Sequence, residues 1–133
     1  MNVLIDSSVL IAVHDSDDIH HDRSVKDLVK VGEQESKMWV TEHVLDEVFT
    51  ILSKRRKTKQ IEHLWSLIES SDIRVYVPQS ASQAMQIMRQ TYNQLINQKQ
   101  KRASYTDLHQ AVLVKNQYLK DTSILSYDRH LMS

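Results

Sequence analysis

Cysteine is absent from the 133 residues, and glycine and proline occur once each. Without cysteine there can be no disulfide and no thiolate zinc site, which fits a reducing cytosol; a cytoplasmic protein is therefore expected. A single glycine cannot build a Gly-rich phosphate cradle, so neither a P-loop nor a dinucleotide fingerprint is available. No apolar run reaches the roughly 18 residues of a membrane span. The N-terminus lacks the basic n-region and small-residue cleavage site of a signal peptide, and none is expected. Neither sign of charge is in excess, since 17 Lys and Arg balance 17 Asp and Glu. That balance argues against a protein that coats nucleic acid by bulk charge, although a local basic patch stays open.

What is present is an ordinary globular composition, 41% apolar and 26% charged, on a length that suits one domain over 1–133. Met1-Asn2-Val3-Leu4-Ile5 reads as a short buried strand stopping at Asp6, because buried parallel strands are near-continuous apolar runs. A carboxylate at the carboxyl end of a strand stands where open α/β sheets keep their chemistry. Ser7-Ser8 and the apolar run from Val9 to Val13 follow as a short helix.

Further along, Ser16 is a candidate N-cap for a thin-faced surface helix over about 17–31, with Asp17 and Asp18 in its first turn. Met38-Trp39-Val40 reads as a second strand. Thr41 caps a helix whose Val44, Leu45, Val48, Phe49, Ile51 and Leu52 recur at helical spacing, and Thr58 caps the next. Ile73 to Val77 is a third strand, closed by Pro78 and marked as an edge by Arg74. Ser80 starts a long helix to about Gln98 with Ala81, Ala84, Met88, Thr91 and Leu95 inward. Ser104 caps a helix from Tyr105 to about Leu119 with Leu108, Ala111, Val112 and Tyr118 inward, and Thr122 to Leu125 is a fourth strand. Short strands alternating with helices predict an α/β protein, a parallel sheet covered on both faces.

Asp128 repeats the arrangement of Asp6, a carboxylate just past the end of an apolar strand. Two such acids converge if their strands are neighbours, whereas turn formation is the ordinary use of Asp after a strand. Asp107 sits in Ser104-Tyr105-Thr106-Asp107, where a capping box alone could account for both Ser104 and Asp107. At about 100° per residue, Glu47 falls on the border of its helix's apolar arc and Asp46 falls opposite, in solvent. Four carboxylates without local cations would repel one another, a conflict that a divalent ion removes. An all-oxygen site favours Mg²⁺ or Mn²⁺, and such an ion activates water and clamps phosphodiester oxygens. No His-x₃-His pair supports zinc chemistry; His20, His21, His43, His63 and His109 read as surface or structural residues, and Trp39 and Trp65 as core.

The ordered set of motifs resembles the PIN-domain family, and within it the VapC-type toxins of toxin–antitoxin pairs. Val3-Leu4-Ile5-Asp6-Ser7-Ser8 is similar to the family's opening strand, and Asp17-Asp18-Ile19-His20-His21 to the segment before its second helix. Val44-Leu45-Asp46-Glu47-Val48-Phe49 resembles its helix with the second acid. Ser104-Tyr105-Thr106-Asp107 resembles its Ser-x-x-Asp helix start, and Ile124-Leu125-Ser126-Tyr127-Asp128 its last strand and acid. The resemblance implies a three-layer α/β/α fold with a short central parallel sheet and a Mg²⁺- or Mn²⁺-dependent endoribonuclease. Asp6, Asp107 and Asp128 would hold the metal, Glu47 would orient water on it, and Ser7 and Ser126 would support the acids. It also implies an RNA substrate, a cognate antitoxin and a homodimer. The candidate RNA contacts are Lys54, Arg55 and Arg56 in one basic run and Lys101 and Arg102 in the other. Two departures stand out: Tyr118-Leu119-Lys120-Asp121 lacks the family's Gly before the last strand, and the closing strand is short or missing before Ser133. The alternatives are a PIN-like RNA- or protein-binding module with weak catalysis and, less well matched, a receiver-type phosphotransfer domain.

Overall fold

The computed structural model describes residues 1–99 and 103–128. Its four short strands are β1 (Asn2–Ile5), β2 (Lys37–Thr41), β3 (Ile73–Tyr76) and β4 (Thr122–Leu125). They form one parallel sheet in the order β3-β2-β1-β4, so β3 is an edge, as Arg74 suggested. The helices are α1 (Ser7–His14), α2 (His21–Glu33), α3 (Glu42–Lys54), α4 (Thr58–Glu69), α5 (Ala81–Asn97) and α6 (Tyr105–Lys115).

The chain steps from β1 to β2 to β3 in one direction, then crosses back to add β4 beside β1. Right-handed crossovers place α1–α4 on one face of the sheet and α5 and α6 on the other. The buried side chains divide in the same way. Val3, Ile5, Val40 and Ile73 pack with Val9, Val44, Val48, Leu52 and Leu64. Tyr76 packs with Ile87, Val112, Leu113 and Tyr118. Alternation along the strands sends successive residues to opposite faces. Fully buried Leu4, Ile5, Leu10, Leu52 and Leu64 each contribute roughly 1.5–3 kcal/mol.

Thr41 and Ser80 cap α3 and α5, accepting the N–H groups of Val44 and Gln83 at 3.1 Å each. Elsewhere the structure departs from the pattern reading. Ser16 does not open α2: the carboxylates of Asp15 and Asp18 accept the N–H groups of Asp17 and His20. These local turns compete with helix and delay it to His21. Thr58 is already inside α4 and makes no side-chain cap. On α5 the buried residues are Ile87 and Thr91, and Met88 is exposed. On α6 they are His109, Gln110, Val112 and Leu113, a rotation away from Leu108 and Ala111. Periodicity gave these two helices a stripe, but the packing of α5 against α6 chose which residues meet. Trp65 is 45% exposed, lying stacked on Phe49 at 5.3 Å rather than in the core.

Scarcity of glycine has a local consequence. Glu35, Arg56, Ser71, Gln117 and Asp121 all hold positive φ, between 51° and 64°. The first two complete Schellman ends: Ser36 N–H reaches Val31 O, and Lys57 N–H reaches Leu52 O. Asp121 takes the left-handed position just before β4, where the sequence lacks the expected Gly; Asp is among the residues that tolerate it. Replacing exposed Glu35 by glycine should therefore stabilise the protein by roughly 0.5–1 kcal/mol, because a Cβ at positive φ costs more than glycine's extra chain entropy. Urea unfolding of Glu35→Gly beside wild type measures it, and an equal or lower midpoint would contradict the account.

Candidate active site

The crossover to β4 makes a topological switch point between β1 and β4, where open α/β sheets leave a crevice at the carboxyl ends of the strands. Ile5 is in register with Leu125, so Asp6 and Ser126 leave the sheet side by side.

Asp6 is 2% exposed and sits at the N-cap position of α1 without capping it. Its carboxylate turns instead to three donors. Gln110 Nε2 donates to Oδ1 at 2.8 Å. The hydroxyls of Ser126 and Ser8 donate to Oδ2 at 2.8 and 3.0 Å. Each serine oxygen in turn accepts a backbone N–H from the β4 loop, Asp128 to Ser126 at 2.9 Å and Tyr127 to Ser8 at 3.0 Å. The bond pattern therefore ties the start of α1, the end of β4 and the middle of α6 to one carboxylate.

Ser7 points the other way and donates to Glu47 Oε2 at 3.0 Å. Glu47 is half-buried and Asp46 is exposed, as the angular argument expected. Asp107 forms the full capping box: Ser104 N–H donates to its Oδ2 at 3.1 Å, and its own N–H donates to Ser104 Oγ at 3.2 Å. Burial pushes the Asp107 carboxyl above the usual range, opposed by the Ser104 backbone N–H, and the charges of Asp128 and Asp6 push it further. Capping and nearness to other acids thus coincide in one residue, since Asp107 lies within electrostatic reach of Asp6 and Asp128.

The donor set suits a hard divalent cation. It is all oxygen, and its mutual repulsion is what such an ion relieves. Asp6 Oδ1 accepts one hydrogen bond and retains acceptor capacity. Among the described residues, no three His, Asp or Glu side chains are already closed on one metal-sized point.

Gln110 and Ser8 escaped the sequence reading, although a glutamine inside the apolar run Leu108 to Leu113 was the available signal. Tyr127, the residue before Asp128, is the centre of a second group. Tyr127 donates its phenol to Asp27 at 2.8 Å, with Arg23 over its ring at 4.4 Å and His20 beside it at 4.9 Å. Burial, with Asp27, raises the Tyr127 phenol well above its ordinary range. On the other side His43 lies against both Tyr105 and His109. Burial and the neighbouring His43 lower His109 to about 4, so it is neutral at physiological pH. His14 is structural, held between Leu10 O and His63.

The first basic run lies away from this crevice. Lys54, the last residue of α3, comes seven residues after Glu47, roughly 10 Å further along the helix, and Arg55 and Arg56 follow it. Arg55 is engaged with buried Asp15 at 2.7 Å, and Lys57 stands 3.7 Å from the same carboxylate. Lys101 and Arg102, like the segment after Asp128, lie outside the described residues.

The family model for the PIN domain matches residues 3–132. No curated protein matches the sequence. Among solved structures, Mycobacterium tuberculosis VapC20, described as a sarcin–ricin loop cleaving toxin, superposes with a TM-score of 0.73. The alignment covers 98% of this chain and 95% of that one at 16% identity, a likeness of fold.

The Asp15 carboxyl is lowered from 3.8, first by the Asp17 N–H and then, against burial, by Arg55 and Lys57. A lowered folded-state value contributes stability above the unfolded value and loses it as pH falls through the folded one. Asp15→Asn should therefore be less stable than wild type at neutral pH, and the gap should close as pH falls below 3.8. Urea unfolding at stepped pH reads this directly; a gap independent of pH would contradict it.

Proposed function

The chain belongs to the PIN domain family, and from that premise we propose that it is a Mg²⁺- or Mn²⁺-dependent endoribonuclease, the toxin of a toxin–antitoxin pair. The meeting of Asp6 with the loop that carries Asp128 at the β1–β4 crevice carries this reading: β1 and β4 are paired in register, Ser126 donates to Asp6, and the loop N–H groups bond Ser8 and Ser126. The likeness in fold to VapC20 supports the toxin part. An RNA strand is the substrate. A cognate antitoxin would inhibit by filling the cleft and placing a basic side chain among the acids. The protein is expected to work as a homodimer of single-domain subunits in the cytoplasm.

Asp6, Asp107 and Asp128 would hold the ion with Glu47 nearby; when bound, it would activate water and clamp the phosphodiester oxygens. The protein's own residues fix the geometry. Ser8, Ser126 and Gln110 hold both oxygens of Asp6 from three separate elements, so the carboxylate is oriented before substrate arrives. Ser7 donates to Glu47 Oε2, which leaves the other oxygen to orient a water held by the ion. Arg23, over the Tyr127 ring at 4.4 Å and 3.7 Å from Asp27, is a cation one residue removed from Asp128 along the chain through Tyr127 and is a better candidate for a substrate phosphate than the distant run at Lys54.

Purified protein should cleave RNA with Mg²⁺ or Mn²⁺, and cleavage should vanish with chelator and in Asp6→Asn. The variant should still fold, since the substitution removes no apolar contact; it exchanges one of the two acceptor oxygens held by Gln110, Ser126 and Ser8 for an amide nitrogen. Metal should raise the Tm of wild type, because an ion that binds only the folded site stabilises it. Absence of both cleavage and metal stabilisation would favour the catalytically weak binding module. Glu47→Ala should lose cleavage while Asp46→Ala changes neither activity nor, within about 0.5 kcal/mol, stability. Equal losses in the two variants would overturn the role given to Glu47.

A further inference from the structure

A cavity of about 230 Å³ opens where the start of α3, the end of β3, α5 and α6 meet, lined among others by Glu42, His43, Tyr76, Pro78, Met88 and His109. Its contents differ from those of a packed core. Tyr76, His43 and His109 supply flat rings, Met88 a polarisable thioether, and Glu42 an exposed carboxylate. The cavity adjoins the acids. His43 lies 4.7 Å from His109 and 5.4 Å from Tyr105, ring centre to ring centre, and Tyr105 opens the helical turn that carries Asp107. Both β2 and β3 end here, so the cavity lies along the same edge of the sheet as the crevice.

A second observation points to a ligand. His109 is 8% exposed, and its Nδ1 is buried without a hydrogen-bond partner among the described residues. Buried polar atoms are ordinarily paired; a turn of the His109 ring would bring this nitrogen to the cavity that the ring lines, where an incoming polar edge can satisfy it.

We propose that this cavity receives one unpaired purine base of the RNA, beside the phosphodiester presented to Asp107. The proposal rests on the nuclease reading and specifies what its substrate must offer. Single-stranded RNA is recognised by splayed bases stacked on rings and bonded along their edges. Glu42 is an acceptor only. Guanine presents an imino and an amino N–H side by side and can give a carboxylate two charge-assisted bonds; cytosine and adenine offer one amino group and uracil one imino group. Guanine is therefore the base that fits best.

Methionine methyl signals test this. The chain has five methionines; Met88 lines this cavity, and Met38 lines a separate one near Leu28 and Leu67. Protein labelled with ¹³C at the methionine methyls is titrated with guanosine, adenosine, cytidine and uridine 5′-monophosphates without metal. Guanosine monophosphate should move the Met88 signal upfield, through the ring current of the stacked base, and leave Met38 in place. Glu42→Gln should weaken that response about ten-fold, as expected for loss of a charged hydrogen-bond partner. An unmoved Met88 with all four nucleotides, or equal shifts at Met38 and Met88, would overturn the proposal. The same preparation is assayed on RNA with Mn²⁺. Cleavage with an unmoved Met88 overturns the base pocket alone. A guanosine response without cleavage supports the pocket and counts against the nuclease reading alone.

Discussion

Burial of the Asp6 carboxylate is the constraint around which the crevice is arranged. A charge that is 2% exposed is tolerated only where donors replace its lost water. Here those donors come from the start of α1, the end of β4 and the middle of α6. None is near another along the chain, so Asp6 couples the folding of the sheet's switch point to the assembly of the site. Ser8 and Ser126 extend the coupling by accepting the N–H groups of Tyr127 and Asp128. The loop carrying the last acid is thereby held at a fixed distance from the first.

The acids are gathered by topology rather than by chain proximity. Strands of four or five residues are just long enough to bury an apolar stripe on each face of the sheet. All are parallel, so every strand presents its carboxyl end to the same side. The return crossover through α5 and α6 sets β4 beside β1 and leaves the crevice between them. It also brings the first turn of α6, with Asp107, to that crevice. The price is electrostatic: Asp107 is raised by burial and by its acidic neighbours.

Charge is divided accordingly. At the far end of the sheet the basic run is exposed, but Arg55 and Lys57 reach back to neutralise buried Asp15. Among the described residues around Tyr127, Arg23 lies over the ring and is paired with Asp27. Formal neutrality of the whole chain therefore conceals acids gathered at one end of the sheet and cations set among acids at the other.

Sequence alone determined a good deal. Apolar runs of strand length, each alternating with helical periods, dictated a parallel sheet with helices on both faces. Local chemistry dictated the caps at Thr41, Ser80 and Ser104, whose hydroxyls reach backbone three residues on. The angle around α3 separated Glu47 from Asp46 because helical geometry is local. Only the tertiary structure decided which strands are neighbours, and hence that Asp6 and Asp128 share a crevice. It also chose the faces of α5 and α6, turning Gln110 onto Asp6 and Met88 outward. Periodicity defines a stripe on a helix, but what that stripe meets depends on helices far away in sequence. The same holds for Arg55, an exposed cation by composition and an ion-pair partner of Asp15 by packing, 40 residues distant. Contacts of that range carry no local pattern, since neither residue's neighbours in the chain need differ for the contact to form.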